Sequence, residues 1–187
     1  TLGRAGMLAM WRGFFGLLGA IACSPIPTVA AITGHSPAGG AVLTLYCDYR
    51  IMADGPYRIG LNETQVGLVV PDVIQAAMRR LLGAHRAERL MVAGAMIESA
   101  EAHRIGLVDE LIDAEHVVER AIAWLRDLLR LAPQAMSETR RIARADLRAL
   151  FDAHNATSDE AFLACWFSDE AQRVLGEMVA MLKAKRG

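Results

Sequence analysis

Hydrophobic and polar positions in the first part of the chain alternate between a strand period and a helix period. A β-branched run at residues 27–33 predicts a strand, and the small apolar residues 39–47 predict a helix after it. Two further short strands are predicted at residues 49–53 and 57–60, separated by the turn signal Asp54-Gly55. This order of elements predicts an α/β fold.

Helices dominate the pattern after Pro71, a residue that suits a first helical turn, and Gly83 and Gly94 are expected to end two of them. The predicted elements here are helices up to residue 82, at 86–93 and at 99–104, then a strand at 107–112. Beyond Ala114 only helices are predicted, at residues 115–131, 133–150 and 157–165 and from Ser168 onward. We therefore divide the chain into a core, residues 1–114, and a helical region, residues 115–187.

An apolar run at residues 13–22 follows Arg4 and Arg12 and precedes Cys23. It imitates a signal peptide with a lipoprotein cleavage site. The run is too short to span a bilayer, however, and a buried helix that ends before the prolines of residues 24–27 also accounts for it. We favour the buried helix, and because the chain begins without Met we expect that residues precede it.

The composition of the chain says more about its binding partners than about its reaction. The chain has 187 residues, 53% of them hydrophobic, and a formal net charge of -1, which favours one core-bearing domain or one domain with an appendage. Basic residues are scattered among acidic ones, which argues against a nucleic-acid partner. The three cysteines are far apart and lack metal-binding spacing. A small molecule is the expected partner, without a membrane.

Glu63 is the most informative position, because it is the only charged residue between Arg58 and Asp72. Burial among apolar residues disfavours the charged form of a carboxylate and raises its pKa, so that the group can transfer protons near neutral pH. A glycine-rich turn, Gly34-His-Ser-Pro-Ala-Gly-Gly-Ala41, lies upstream and opens a predicted helix. Glu63 and this glycine-rich turn together indicate a site for proton transfer.

The order of several short motifs resembles the enoyl-CoA hydratase/isomerase (crotonase) superfamily. The motifs are Pro27-Thr-Val-Ala-Ala-Ile-Thr-Gly34, Pro37-Ala-Gly-Gly40, Cys47-Asp-Tyr-Arg-Ile-Met-Ala-Asp54, Gly60-Leu-Asn-Glu-Thr-Gln-Val-Gly67 and Ser99-Ala-Glu-Ala-His-Arg-Ile-Gly-Leu-Val-Asp109. The resemblance implies a crotonase-like spiral of ββα units with a helical C-terminal region. The Gly-Leu-Asn-Glu-Thr-Gln segment is most similar to the Δ3,Δ2-enoyl-CoA isomerases.

That resemblance implies a reaction and roles for its residues. An isomerase moves a double bond from the 3,4 to the 2,3 position of an acyl thioester through a dienolate, and Glu63 would carry the proton. The N–H of Gly39, at a helix start, would stabilise the thioester oxygen. Ala38, Gly40 and Asn62 would contact the substrate. The resemblance assigns a second oxyanion donor and part of the CoA site to a segment upstream of Thr1.

Departures from the family pattern leave other activities open. The hydratases carry a second glutamate where this chain has Val42, whose side chain cannot orient water. Hydrolases of 3-hydroxyisobutyryl-CoA show a Pro-Asp like Pro71-Asp72, although an Asp after Pro more often begins a helix. A catalytically silent scaffold that keeps the fold is the alternative from another class.

Further expectations concern ligands and assembly. No metal site is predicted, because the histidines have no metal-binding spacing; they are His35, His85, His103, His116 and His154. Coenzyme A enters as part of the substrate, and no separate cofactor is expected. The aromatic residues Phe162, Trp166 and Phe167 fit core or interface packing. By resemblance the protein is a homotrimer or hexamer in fatty-acid β-oxidation, in the bacterial cytoplasm or, in a eukaryote, the mitochondrial matrix.

Overall fold

The computed structural model describes residues 2–152 and 156–184. Its strands are β1 (Val29–Ile32), β2 (Ser36–Pro37), β3 (Tyr49–Ala53), β4 (Arg58–Gly60), β5 (Ile97–Glu98) and β6 (Glu110–Ile112). Its helices are α1 (Arg4–Cys23), α2 (Gly39–Leu45), α3 (Asp72–Leu82), α4 (Ala84–Val92), α5 (Ser99–Arg104), α6 (Val117–Leu128), α7 (Pro133–Ala143), α8 (Ala145–Asp152), α9 (Ala156–Trp166) and α10 (Asp169–Ala184). A 3₁₀ turn, Glu63–Val66, follows β4. The predicted α/β class with a helical C-terminal region is confirmed.

The strands form two small sheets. In one sheet β3 lies between β1 and β6, and both pairings are parallel. In the other sheet β4 pairs in parallel with β2 and antiparallel with β5. Strands β3 and β4 follow each other closely in the chain but belong to different sheets, so the turn at Asp54-Gly55 redirects the chain instead of closing a hairpin. This change of sheet brings the segment after β4 beside the start of α2.

Helix α1 packs against the core through one stripe of its surface. The stripe consists of Met7, Trp11, Phe15, Leu18 and Ala22, spaced three or four residues apart and all at most 7% exposed. The helix ends at Cys23, before the two prolines, as predicted, but it begins at Arg4, earlier than the apolar run. Among the described residues, α1 is also long and apolar enough by composition to cross a membrane, a test that buried core helices pass as well.

The predicted helix at 133–150 was wrong in one respect, because the structure divides it into α7 and α8. Arg144 leaves helical geometry at the division, with φ -110° and ψ 18°. Its guanidinium donates to Asp48 Oδ1 at 2.9 Å and to the carbonyl oxygens of Ala22 and Tyr46. These contacts stabilise the break, and after it α8 packs against α1 and α3.

Smaller differences affect strand limits. The predicted strand at 107–112 begins only at Glu110, because the preceding residues form a turn in which Leu107 and Val108 N–H groups both donate to the Ala102 oxygen. The short strands β2 and β5 have no alternating pattern and were not predicted. The division at residue 114 stays a prediction, and α6 packs directly on β1 and β3.

Candidate active site

Glu63 is the first residue of the 3₁₀ turn that follows β4, and the backbone on both sides of it is tightly packed. A Cβ atom at Gly60 would lie 2.1 Å from the carbonyl oxygen of Ala95, so no side chain fits there. The turn ends at Gly67, where φ is +73°, a conformation that favours glycine. These glycines fix where the turn begins and ends.

Hydrogen bonds hold the same turn against α4. The Gln65 side-chain amide donates to the carbonyl oxygen of Gly94 at 2.8 Å, and the Thr64 hydroxyl donates to that of Met91 at 3.3 Å. The N–H of Leu68 donates to the backbone carbonyl oxygen of Glu63 at 3.0 Å. The backbone that carries Glu63 is therefore anchored on two sides.

The Glu63 carboxyl group is half-buried, and its Oε2 atom is buried without a hydrogen-bond partner in the described structure. Burial raises the pKa of Glu63 above its usual value, and a bond from its own backbone N–H offsets only part of that effect. A carboxyl group in this state can accept and release a proton closer to neutral pH than a solvated glutamate.

The start of α2 forms the opposite side of the site. Ala38, which precedes the helix, has φ 45° and ψ -119°, an unusual conformation for a residue with a side chain. Its N–H donates to the Gly60 oxygen at 3.0 Å, which joins the glycine turn to the end of β4. Since the first N–H groups of a helix have no partner within it, those of Gly39 and Gly40 are available to a ligand.

A cavity of about 740 Å³ connects these two parts. Ala38, Gly39, Val42 and Glu63 all line it, so the structure brings together the predicted base and the predicted oxyanion donor. The predicted substrate contacts Gly40 and Asn62 are not among its described lining residues. A Cβ at Gly40 would lie 3.0 Å from Ser36 Oγ, and the backbone carbonyl oxygen of Asn62 accepts the Gln65 N–H within the turn. Contact of these two with substrate stays a prediction.

The sequence did not reveal the far wall of this cavity. Helix α9 lines it with one face, and α1 lines it with residues 10, 11, 14 and 15. Phe162 and Trp166, interpreted from sequence as core or interface residues, both face the cavity, whereas Phe167 does not line it. The i, i+4 spacing of Phe162 and Trp166 on one predicted helix was the available signal.

Only two of the described residues that line the cavity have charged side chains, and both are acidic: Glu63 and Asp72. An Asp72 oxygen accepts the Val73 N–H at 2.8 Å, which fits the predicted helix-start role, yet the residue also lines the cavity. The lining is otherwise mostly apolar, which suits an acyl chain.

Metal ligands do not converge in the part of the chain that the structure describes, where no three His, Cys, Asp or Glu side chains form a group that could hold an ion. His35 accepts the Arg58 N–H through Nδ1 at 3.0 Å. His154 lies outside the described residues. The absence of a metal or separate cofactor stays a prediction.

Comparison with known proteins agrees with this geometry. The enoyl-CoA hydratase/isomerase family model matches residues 5–184. Enoyl-CoA delta isomerase 1, mitochondrial, of Homo sapiens is 32% identical over 165 residues, which cover 88% of this chain and 55% of the human protein. A probable enoyl-CoA hydratase of Mycobacterium avium is 35% identical over 137 residues, or 73% of this chain and 51% of that protein. The chain spans about half the length of these curated relatives.

The fold comparison is equally extensive. The crystal structure of human mitochondrial delta3-delta2-enoyl-CoA isomerase superposes with a TM-score of 0.93 at 29% identity, covering 100% of this chain and 72% of that one. This confirms the crotonase-like spiral implied by the sequence motifs. The chain therefore belongs to the enoyl-CoA hydratase/isomerase family.

Proposed function

We propose that the protein is an enoyl-CoA isomerase that converts a 3-enoyl-CoA to the 2-enoyl-CoA. The observation that carries the proposal is that Glu63, a half-buried carboxyl with a raised pKa, shares an apolar cavity with the first turn of α2. The human relative is named as a delta isomerase, which supports the same branch of the family.

The proposed reaction needs one proton carrier and one stabilised oxygen. Glu63 removes a proton from C2 of the acyl group, and the electrons delocalise from C2 onto the thioester oxygen and C4 to give a dienolate. The protonated Glu63 then returns the proton to C4, so that no other reactant is consumed. The Gly39 N–H donates to the thioester oxygen while it carries negative charge, aided by the dipole of α2.

Val42 leads us to expect that isomerisation is much faster than hydration. The side chain is 1% exposed and lines the cavity where hydratases carry a second carboxylate. An aliphatic group cannot position and deprotonate water, so the purified protein should isomerise 3-enoyl-CoA at least about 10²-fold faster than it hydrates 2-enoyl-CoA.

Absorbance of the conjugated thioester measures both reactions, with 3-enoyl-CoA and 2-enoyl-CoA supplied separately. Hydration at an equal or greater rate would overturn the isomerase assignment. No turnover in a screen of acyl-CoA esters, despite binding, would favour the silent scaffold.

Asp72 supports one alternative. It places a second carboxyl group in the same cavity, as hydrolases or hydratases of this superfamily require. If the protein is of that kind, Asp72→Asn should abolish release of CoA or of the hydrated product. An isomerase that uses Glu63 alone should tolerate the change.

We also propose that the protein assembles as a homotrimer or hexamer. Val118 and Ile122 of α6 are 51% and 43% exposed, lie one turn apart on one helix face, and are followed by Leu129 at 78%. An apolar stripe of this kind is typical of an interface. Light scattering at micromolar concentration should give a trimer or larger, and the double variant Val118→Asp/Ile122→Asp should lower the mass. A monomeric wild-type protein would exclude the assembly.

Pathway and location follow from the same proposal. A 3-enoyl thioester arises when unsaturated fatty acids are shortened, so we assign the reaction to fatty-acid β-oxidation. We expect the protein in the cytoplasm of a bacterium, or in the mitochondrial matrix if its source is eukaryotic, as for the relatives named mitochondrial.

A further inference from the structure

One face of helix α9 closes the cavity on the side away from the glycine turn. Its lining residues are Ser158, Ala161, Phe162, Cys165 and Trp166. They are spaced at i, i+3, i+4, i+7 and i+8, so they form a continuous stripe on one side of the helix. Any ligand that extends from Glu63 towards α9 meets this stripe.

Within the stripe, Phe162 forms a flat barrier with Trp11 of α1. The two rings are stacked, with centroids 3.6 Å apart and planes inclined by 2°. Phe15 also contacts Trp11, with its ring centroid 4.3 Å from that of Trp11. The stacked rings join α1 and α9 at this level, and both rings line the cavity, so aromatic surface bounds it there.

The barrier is fixed in position by contacts outside the cavity. Arg12 Nε donates to Asp159 Oδ2 at 2.8 Å, and the Asp159 side chain is only 7% exposed. Arg4 pairs with Glu160 at 2.5 Å one residue further along α9. The pair between Arg12 and the buried Asp159 carboxylate holds α9 on α1, because removing either partner would leave the other without its counter-ion.

The chemistry of the lining restricts what can lie against this barrier. The residues contributed by α1 and α9 carry no charge, and the charged groups elsewhere in the described lining, Glu63 and Asp72, are both acidic. An acyl tail that ended in a carboxylate would find no cationic partner and two like charges. The tail is therefore expected to be a neutral hydrocarbon chain.

We propose that Trp11 and Phe162 form the end wall of the acyl site and set the longest acyl chain that the protein accepts. The inference rests on the proposed isomerase function and names the part of the substrate that this wall selects. Acyl chains that end before the ring stack fit the cavity. Longer ones must displace an aromatic ring, and their kcat/KM falls accordingly.

Variants on the stripe test this in opposite directions. Phe162→Ala should raise kcat/KM for hexadecenoyl-CoA relative to hexenoyl-CoA on the order of tenfold, because pocket space for a few methylene groups changes discrimination on that scale. Ala161→Leu adds bulk to the same face and should shift the ratio towards the shorter ester. Trp11→Phe reduces one ring without removing a hydrogen bond, since the Trp11 indole nitrogen has no partner in the described structure.

Phe167→Ala is the matched control. Phe167 lies directly after α9, is 38% exposed and is not among the described lining residues. Its removal should leave the chain-length ratio unchanged. A residue with a merely structural role would lower kcat/KM for every ester by the same factor, so a constant ratio in the Phe162, Ala161 and Trp11 variants overturns the proposal.

A binding measurement separates this proposal from the proposed function. Saturated acyl-CoA esters cannot react, and their dissociation constants in the wild type and variants report pocket length alone. Should the protein isomerise no ester, the isomerase assignment fails, yet the binding preference still supports or overturns the end wall. If Phe162→Ala does not fold, the opposite shift expected for Ala161→Leu decides the question.

Discussion

Glu63→Gln is expected to lower the turnover of 3-enoyl-CoA by on the order of 10²-fold or more. The amide keeps the size of the carboxyl group but cannot accept the C2 proton, so both proton transfers are lost. Binding of a saturated acyl-CoA should change little, because the cavity keeps its shape. Turnover and binding measured on the same protein preparation check the two statements.

The same variant should be at least as stable as the wild type at neutral pH. Burial raises the pKa of Glu63 in the folded protein above the value of 4.5 that applies to an exposed carboxyl. The folded state therefore binds the proton more tightly than the unfolded chain, and the free energy of unfolding falls as pH rises from about 4.5 through the folded pKa. Urea unfolding of Glu63→Gln should lack this loss, which separates a catalytic defect from a folding defect.

Exchange of the C2 hydrogen with deuterated water isolates the first half of the reaction. Glu63→Gln should stop it, whereas Asp72→Asn, a change of the other carboxyl in the cavity, should leave it intact. If Asp72→Asn abolished exchange and Glu63→Gln did not, the base would be Asp72. If neither variant affected an active protein, proton transfer by these carboxyls would be excluded.

The sequence predicted the site on the α2 side of the cavity because its signals are local. A single carboxylate among apolar residues indicated a raised pKa, and burial of Glu63 now accounts for it. Glycines after a strand predicted the helix start at Gly39, where α2 begins. The residues that make up each signal are close together along the chain, so the sequence pattern contains it, although the contacts that hold the Glu63 turn come from residues 91–95.

The wall on the α9 side could not be predicted in the same way. Trp11 and Phe162 are distant in sequence, and nothing in either helix pattern specifies that they stack. The break at Arg144 could not be predicted for the same reason, because the contact that stabilises it is with Asp48, which is distant in sequence. Helical periodicity gives the buried face of a helix but not what covers that face.

Asp48→Asn is expected to lower the free energy of unfolding by about 3 kcal/mol or more at neutral pH. The carboxylate accepts from the guanidinium groups of Arg140 and Arg144, at 2.9 Å in each ion pair, and from the Thr28 N–H at 2.8 Å. The side chains of Arg140 and Arg144 are only 7% and 11% exposed. Removing the one negative charge would leave two largely buried cations beside each other without their carboxylate partner.

Arg140 and Arg144 also bind the end of α1, so the loss of stability in Asp48→Asn would extend to that helix. Arg140 donates to the carbonyl oxygens of Ile21 and Ser24, and Arg144 donates to that of Ala22 at 3.2 Å. These oxygens lie at the C-terminus of the helix, where cations are favoured. Asp48 therefore joins β3, α1 and the α7–α8 break, and the variant should weaken all three in one cooperative transition.

The pH dependence of this effect distinguishes charge loss from a simple packing defect. Burial alone would raise the pKa of Asp48, but the hydrogen bonds from Arg140 and the Thr28 N–H and the charges of Arg144 and Arg140 outweigh it, so the pKa lies below the ordinary 3.8. The stabilisation is thus complete above about pH 4 and is lost as pH falls through the folded pKa. Urea unfolding should show a large difference between wild type and Asp48→Asn at pH 7 that shrinks in acid.

Glu98→Gln, which breaks an exposed pair with Arg58, should change the free energy of unfolding by less than about 1 kcal/mol. An equally small effect for Asp48→Asn would mean that Arg140 and Arg144 do not need the Asp48 carboxylate as a partner, and it would contradict this prediction.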